Sequence, residues 1–149
     1  MDDHPLEKLV REKQQAREAA ARKKQDEKEA RYAAEKAAID AWPQLKEKFI
    51  AEIAKANTVI NKVHDVAFKW NENPQPGGEL AVGNITLQSP TQGSLLDVGF
   101  TMHRSGIFRT ISGATTSGKF APQLNRPAAD IAEHDIRAFL TSAYDVTIV

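Results

Sequence analysis

The chain has 149 residues, 41% of them hydrophobic and 27% charged, and its formal net charge is zero. A balanced charge gives no general steering toward nucleic acid or an anionic membrane. The chain has no cysteine, which excludes disulfides, thiolate metal sites and cysteine nucleophiles, and no stretch approaches the roughly 18 apolar residues of a membrane span.

Residues 1–41 are predicted to form a charged, alanine-rich helical arm. Between Arg11 and Arg31 the only apolar residues are alanines. Ala, Glu, Lys, Arg and Gln are strong helix formers, and the pair Glu18–Arg22 stands four residues apart in the favourable order. A helix that is polar nearly all round adds little to a core. The core is therefore expected in a small α+β domain over residues 42–149.

An amphipathic helix is predicted over residues 43–70. Pro43 cannot donate a hydrogen bond within a continuous helix, so a kink or a break is expected there. Apolar residues then recur at alternating steps of four and three, as in a heptad seam. They are Phe49, Ile53, Ala56, Ile60, Val63, Ala67 and Trp70. We expect Ile53, Ile60 and Val63 in the core, with Trp42 and Trp70 as anchors at the two ends.

Two interpretations of this seam are open. The regular spacing favours a coiled coil between chains. However, Ile50, Val59 and Val66 make the apolar stripe wider than a two-stranded seam requires, which favours a helix lying on its own sheet.

The rest of the chain predicts a three- to four-stranded antiparallel sheet and a C-terminal helix. Residues 71–78, rich in proline and glycine, are a linker. The sheet is placed at 79–121, with strands at 79–88, 96–103 and 107–111 and a short fourth at 119–121. The connections are too short for parallel crossovers. A helix is predicted over 127–143, and residues 146–149 form a final strand or a frayed tail.

One stretch resembles the start of a phosphate-binding loop. Gly113 and Gly118 are separated by four residues, and Lys119 follows. The pattern then requires Ser or Thr and a helix, whereas this chain has Phe120 and soon afterwards Pro122. A plain hairpin loop is therefore the preferred interpretation.

Histidines provide two weak candidates for chemistry, and no pair has metal-ligand spacing. His103, Arg104 and Arg109 cluster around a predicted hairpin, where acid–base chemistry would need a second acid or base within reach. Asp97 lies on the same side but about 20 Å away along an extended strand.

A second polar group, on the predicted amphipathic helix, is a row formed by Asn57, Asn61 and His64. It would line a pocket or simply face solvent. Neither candidate is strong enough to assign a catalytic, cofactor-binding or metal-binding residue.

The first functional hypothesis is a non-enzymatic interaction or structural module, with the arm as a spacer or partner-binding helix. A protein partner is expected, with self-association through the helices as one form of it. The alternatives are a small enzyme near His103 and Arg109 and a nucleic-acid binder. A nucleic-acid binder would use the arm's basic patch, which consists of Arg17 and Arg22 to Lys24. Acidic residues follow this patch at once, which disfavours nucleic-acid binding. The acidic start of the chain lacks the apolar run of a secretory signal, which predicts a cytoplasmic protein.

We predict that ATP and GTP do not bind through Gly113–Lys119, because the magnesium-binding hydroxyl residue and the following helix are missing. Thermal unfolding with and without nucleotide measures this. A nucleotide-dependent rise in melting temperature that disappears in Lys119→Ala would contradict the prediction.

Overall fold

The computed structural model describes residues 4–148, apart from the side chains of Ser112 and Ala114. The chain divides into two compact units, Met1–Ala34 and Glu35–Val149. Its elements in chain order are helix α1 (Pro5–Ile60), strands β1 (Ala67–Glu72), β2 (Ala81–Ser89), β3 (Gly93–Met102), β4 (Ile107–Thr115) and β5 (Asn125–Pro127), a 3-10 turn (Ala128–Asp130) and helix α2 (Glu133–Thr147). The predicted α+β class, with a long N-terminal helix, an antiparallel sheet and a C-terminal helix, is confirmed.

A kink or a break was expected at Pro43, and the break is wrong, because helix α1 continues through this residue. Proline removes one backbone hydrogen bond of a helix, but burial on both sides offsets such a loss. Ala38 and Leu45 flank Pro43 and are 2% and 1% exposed. Ala38 belongs to the core of the second unit, although the sequence analysis assigned it to the arm.

The predicted helix over 43–70 is wrong beyond Ile60, where α1 ends. The chain turns there, with the N–H of His64 donating to the Ile60 carbonyl at 2.9 Å. Residues Ala67–Glu72 instead form β1. Their local pattern also has period two, since Phe68 is buried while Lys69 is exposed.

The three residues of the seam that were predicted to lie in the core differ in their burial. Ile53 is 6% exposed, as predicted, and belongs to the core. Ile60 is half-buried at the end of the helix. Val63 is 90% exposed, so its assignment to the core is wrong, because the helix no longer continues at that position. Ile50 and Val59, taken as widening the buried stripe, are also exposed.

The described residues form a five-stranded sheet, whose strands are neighbours in sequence order and all antiparallel. This is more than the predicted three to four strands. β1 lies where a helix was predicted, and the predicted strand at 119–121 is irregular. The additional edge strand is β5, which pairs with Ile107–Arg109.

The core lies between α1, α2 and one face of the sheet. Trp70 on β1, Ile85 on β2 and Val98 on β3 are register partners on that face. Five aromatic rings meet there, with centroids of neighbouring rings 4.4–6.3 Å apart. They belong to Trp42, Phe49, Trp70, Phe100 and Phe108. The predicted packing of the seam on its own sheet is therefore correct for its buried part.

Close packing in this core depends on the absence of a side chain at Gly83. A Cβ atom there would lie 2.1 Å from the Asn71 carbonyl oxygen and 2.6 Å from the Phe100 ring. The opposite face of the sheet carries no such cluster. Asp97, Thr101 and Arg109 lie there, and none of them is buried.

The C-terminal helix begins later than predicted. Pro127 ends β5, and α2 covers Glu133–Thr147 instead of 127–143. The Asp135 carboxylate accepts the Ala132 N–H at 2.9 Å, which satisfies a free donor and fixes the start of the helix. Val146 and Thr147 belong to α2, so no final strand begins there, and Val149 lies outside the described residues.

We predict that Ile53→Ala destabilises the protein by roughly 2–5 kcal/mol, since it leaves a cavity in the core. Val63→Ala, in solvent, should change the free energy of unfolding by less than about 0.5 kcal/mol. Urea denaturation of both variants measures the difference. Equal effects of the two substitutions would contradict the described end of α1.

Candidate functional site

An apolar groove of about 480 Å³ lies between the end of α1 and α2 in the second unit. Its apolar lining comes from Ala56, Val59, Ile60, Val63, Phe68, Leu140 and Tyr144. Val59 is 67% exposed and Val63 90% exposed. Contiguous apolar surface of this kind is a common feature of interaction sites.

A charged cluster lies beside the groove. Glu52 has a side chain only 3% exposed, and both of its carboxylate oxygens accept hydrogen bonds from Arg137 at 3.2 Å. Lys55 contacts the same carboxylate at 3.4 Å. The Arg137 hydrogen bonds outweigh burial and lower the pKa of Glu52 below its ordinary value. This pair joins α1 to α2, and no local sequence pattern indicates it because its partners are far apart in the chain.

The predicted polar row does not line a common pocket, since His64 alone of its three residues lines a cavity, of about 340 Å³, beyond the end of α1. The Asn57 side chain hydrogen-bonds the backbone of Phe68 in both directions, accepting its N–H at 2.7 Å and donating to its carbonyl at 3.0 Å. Asn57 therefore holds the outer edge of β1, which has no further strand beside it. Asn61 and His64 are exposed beyond the end of the helix.

The turn between β3 and β4 forms a smaller cavity of about 250 Å³. It is lined by Glu79, Thr101, His103, Ser105, Ile107 and Arg109. His103 and Arg109 are thus brought together, as the enzyme hypothesis required, and the carboxylate beside them is that of Glu79. Glu79 precedes β2, and it reaches this place only because β2 pairs with β3.

Two residues considered with this cluster lie elsewhere. Asp97 accepts a hydrogen bond from Asn84 at 2.9 Å on the open face of the sheet. Arg104 donates to the Gly78 carbonyl at 2.8 Å and forms an ion pair with Glu35. Arg104 therefore joins α1 to the hairpin and does not line the cavity.

The His103 ring is held by its own turn. Its Nδ1 accepts the Ser105 N–H at 3.0 Å and lies 2.7 Å from the Ser105 hydroxyl. A neutral ring with Nδ1 accepting a hydrogen bond carries its proton at Nε2. His103 therefore presents a hydrogen-bond donor to its surroundings instead of a free basic nitrogen.

The Gly113–Lys119 stretch has the structure of a loop. Its first residues end β4, a turn follows at 116–118, and the chain then runs irregularly to Leu124. No helix begins after Lys119 within this part of the described chain, so the context of a phosphate-binding loop is missing.

The first unit carries the basic patch. Its described residues, from His4 to Ala34, are helical from Pro5 onward, and every one of them is exposed. Leu6, Leu9 and Val10, spaced along one face, are 57%, 48% and 56% exposed. The helix of the first unit is therefore exposed on all sides along its described length.

Comparison of this chain with protein-family models, curated proteins and solved structures found no match. Within residues 4–148, no helix has the length and apolar composition needed to cross a membrane. The same residues contain no group of three or more His, Asp or Glu side chains placed to hold a metal ion.

We predict that Glu52→Gln lowers the free energy of unfolding by roughly 1–3 kcal/mol at neutral pH, because Arg137 loses its charged acceptor. The folded-state pKa of Glu52 is lowered, so its contribution is present above the ordinary value of 4.5 and is lost as the pH falls through the lowered pKa. Denaturation of wild type and variant across acidic pH should show the two curves converging.

Glu47→Gln, on an exposed position of the same helix, is the matched control and should have almost no effect. A stability difference between wild type and Glu52→Gln that stays constant down to strongly acidic pH would contradict the assignment.

Proposed function

We propose that this chain is a non-enzymatic interaction module whose N-terminal helix pairs with the same helix of a second copy, with the α+β unit as the folded body. The observation that carries the proposal is the helix of residues 5–34, whose side chains are all exposed. Most helical stability in proteins comes from packing of one face, and this segment has no such packing within its own unit. A partner helix would provide it.

The second copy is favoured because the arm has a symmetric pattern about Gln25. Pairs of residues lie at equal distances before and after Gln25 in the sequence. They are Lys23 and Glu27, Ala20 and Ala30, and Ala16 and Ala34. These positions recur at alternating steps of four and three, as in a coiled-coil seam. In an antiparallel pair centred on Gln25, each alanine would therefore meet an alanine of the copy, and Lys23 would meet Glu27.

The charges next to Gln25 follow the same symmetry, since Lys24 would meet Asp26 and Lys23 would meet Glu27, whereas Arg22 would meet Lys28. The basic residues Arg22, Lys23 and Lys24 precede it, and the acidic residues Asp26, Glu27 and Glu29 follow it. Antiparallel pairing would place the basic block of each helix against the acidic block of the other. A contact of this kind is isologous, as in most two-fold dimers, and complementary charges set its register and direction.

Alanine seams bury little apolar area, so the pairing is expected to be weak and to depend on concentration. This pairing also accounts for the basic patch without requiring a nucleic-acid partner, because the acidic block of the second copy would neutralise the patch. An acid–base enzyme at the hairpin cavity is the second candidate, but the hydrogen bonds on His103 Nδ1 favour ligand binding there over proton abstraction.

Charge reversal tests the proposal. In one variant Arg22, Lys23 and Lys24 become Glu, and in the other Asp26, Glu27 and Glu29 become Lys. Each variant alone would place like charges against each other and should sediment as a monomer at concentrations where the wild type dimerises. An equimolar mixture of the two should restore the dimer, because one arm is then acidic and the other basic.

A chain that lacks residues 1–34 is the control. It keeps every residue described as buried, so it should unfold at nearly the same temperature as the full chain while remaining monomeric. A wild-type chain that stays monomeric at hundred-micromolar concentration would contradict the proposal. So would a dimer that survives both the deletion and the charge reversals.

A further inference from the structure

We infer that the cavity at the β3–β4 turn binds a small zwitterion that carries a carboxylate and an ammonium group, as a free α-amino acid does. This cavity is the space of about 250 Å³ lined by Glu79, Thr101, His103, Ser105, Ile107 and Arg109. The inference concerns the second unit alone and is independent of pairing by the arm.

Arg109 is the first reason. The second unit has four arginines, and three of them form ion pairs: Arg104 with Glu35, Arg126 with Asp135 and Arg137 with Glu52. Arg109 has no ion pair among the described residues. Its guanidinium is a planar set of donors suited to a carboxylate, and here it lines a cavity.

Glu79 is the second reason. Its Oε2 atom is buried and has no hydrogen-bond partner in the described part of the chain. A buried carboxylate oxygen without a donor is costly, so native structures normally supply one. Glu79 also lines the cavity and forms no ion pair in the described structure, so its negative charge would be matched by an ammonium group, which carries the opposite charge and up to three N–H donors.

The two charged residues do not satisfy each other. Glu79 and Arg109 line the same cavity, yet they form no ion pair in the described structure. Both are held by the sheet, since Arg109 is the register partner of Thr101 and the N–H of Leu80, next to Glu79, donates to the Met102 carbonyl at 2.9 Å. Two opposite charges that line one cavity without pairing match a ligand that itself carries both charges.

The remaining polar groups support the carboxylate end. Because the Nδ1 atom of His103 accepts a hydrogen bond, the ring carries a proton on Nε2. His103 therefore adds a second hydrogen-bond donor to the cavity that Arg109 lines. Thr101 adds a hydroxyl group and Ile107 an apolar wall. The cavity is smaller than the ~300–1,000 Å³ of drug-sized ligand sites, which restricts the ligand to the smaller amino acids.

Titration of the full chain with glycine, L-alanine and L-serine, followed by amide NMR, tests the inference. Saturable shifts should appear at the amides of Thr101, Ser105 and Arg109 with at least one of these probes. Acetate and methylammonium, which each keep one end of the ligand, should bind weaker by on the order of tenfold to a hundredfold. Arg109→Gln and Glu79→Gln should each weaken amino-acid binding by a similar factor.

Lys69→Gln is the matched control for Arg109→Gln, because it removes one positive charge from another strand of the same sheet and should leave binding unchanged. Arg109→Lys keeps the charge and should bind better than Arg109→Gln. The inference is overturned if no probe shifts these amides at high millimolar concentration. It is also overturned if acetate binds as well as the amino acids, or if Glu79→Gln binds as tightly as wild type, since the ammonium end would then have no role.

Discussion

The packing of α1 on the sheet through a cluster of aromatic rings is the interaction on which the second unit depends. Trp42 and Phe49 come from the helix, while Trp70, Phe100 and Phe108 come from three different strands. Aromatic side chains bury large areas, and well-placed pairs add about 0.5–1.5 kcal/mol each beyond that burial. The cluster thereby holds β1, β3 and β4 to a single helix, and it requires the bare backbone of Gly83 beneath the Phe100 ring.

Because both helices cover the same side of the sheet, its other face and its turns remain open for function. The hairpin cavity follows from this arrangement. Antiparallel pairing of β2 with β3 brings Glu79 to the turn, and pairing of β3 with β4 places Arg109 beside Thr101. Polar contacts elsewhere keep the elements in place, with Arg104 joined to Glu35 and Glu52 joined to Arg137. Glu79 and Arg109, which form no ion pair in the described structure, both line the hairpin cavity.

The two units contribute different kinds of surface. The second unit has a core and several cavities, among them the apolar groove and the polar hairpin cavity described above. The described residues of the first unit form an exposed helix rich in both basic and acidic residues. An exposed helix with a symmetric charge pattern favours binding to its own copy, whereas a rigid polar cavity favours a small ligand. A module that pairs through one unit and binds a ligand through the other is compatible with both features, since they share no residue.

The sequence by itself determined the class of fold, the polar character of the arm and the apolar faces of α1 and β3, because local periodicity reports directly which side chains can be buried together. Only the tertiary structure decided where α1 ends, since Val66–Trp70 satisfies a helical and a strand pattern equally, and pairing with β2 selects the strand. The same holds for the start of α2, which depends on the contact of Asp135 with Ala132. It also holds for the full lining of the cavity. The sequence already placed His103 and Arg109 on one hairpin, but Glu79 precedes β2 and meets them only through the pairing of β2 with β3.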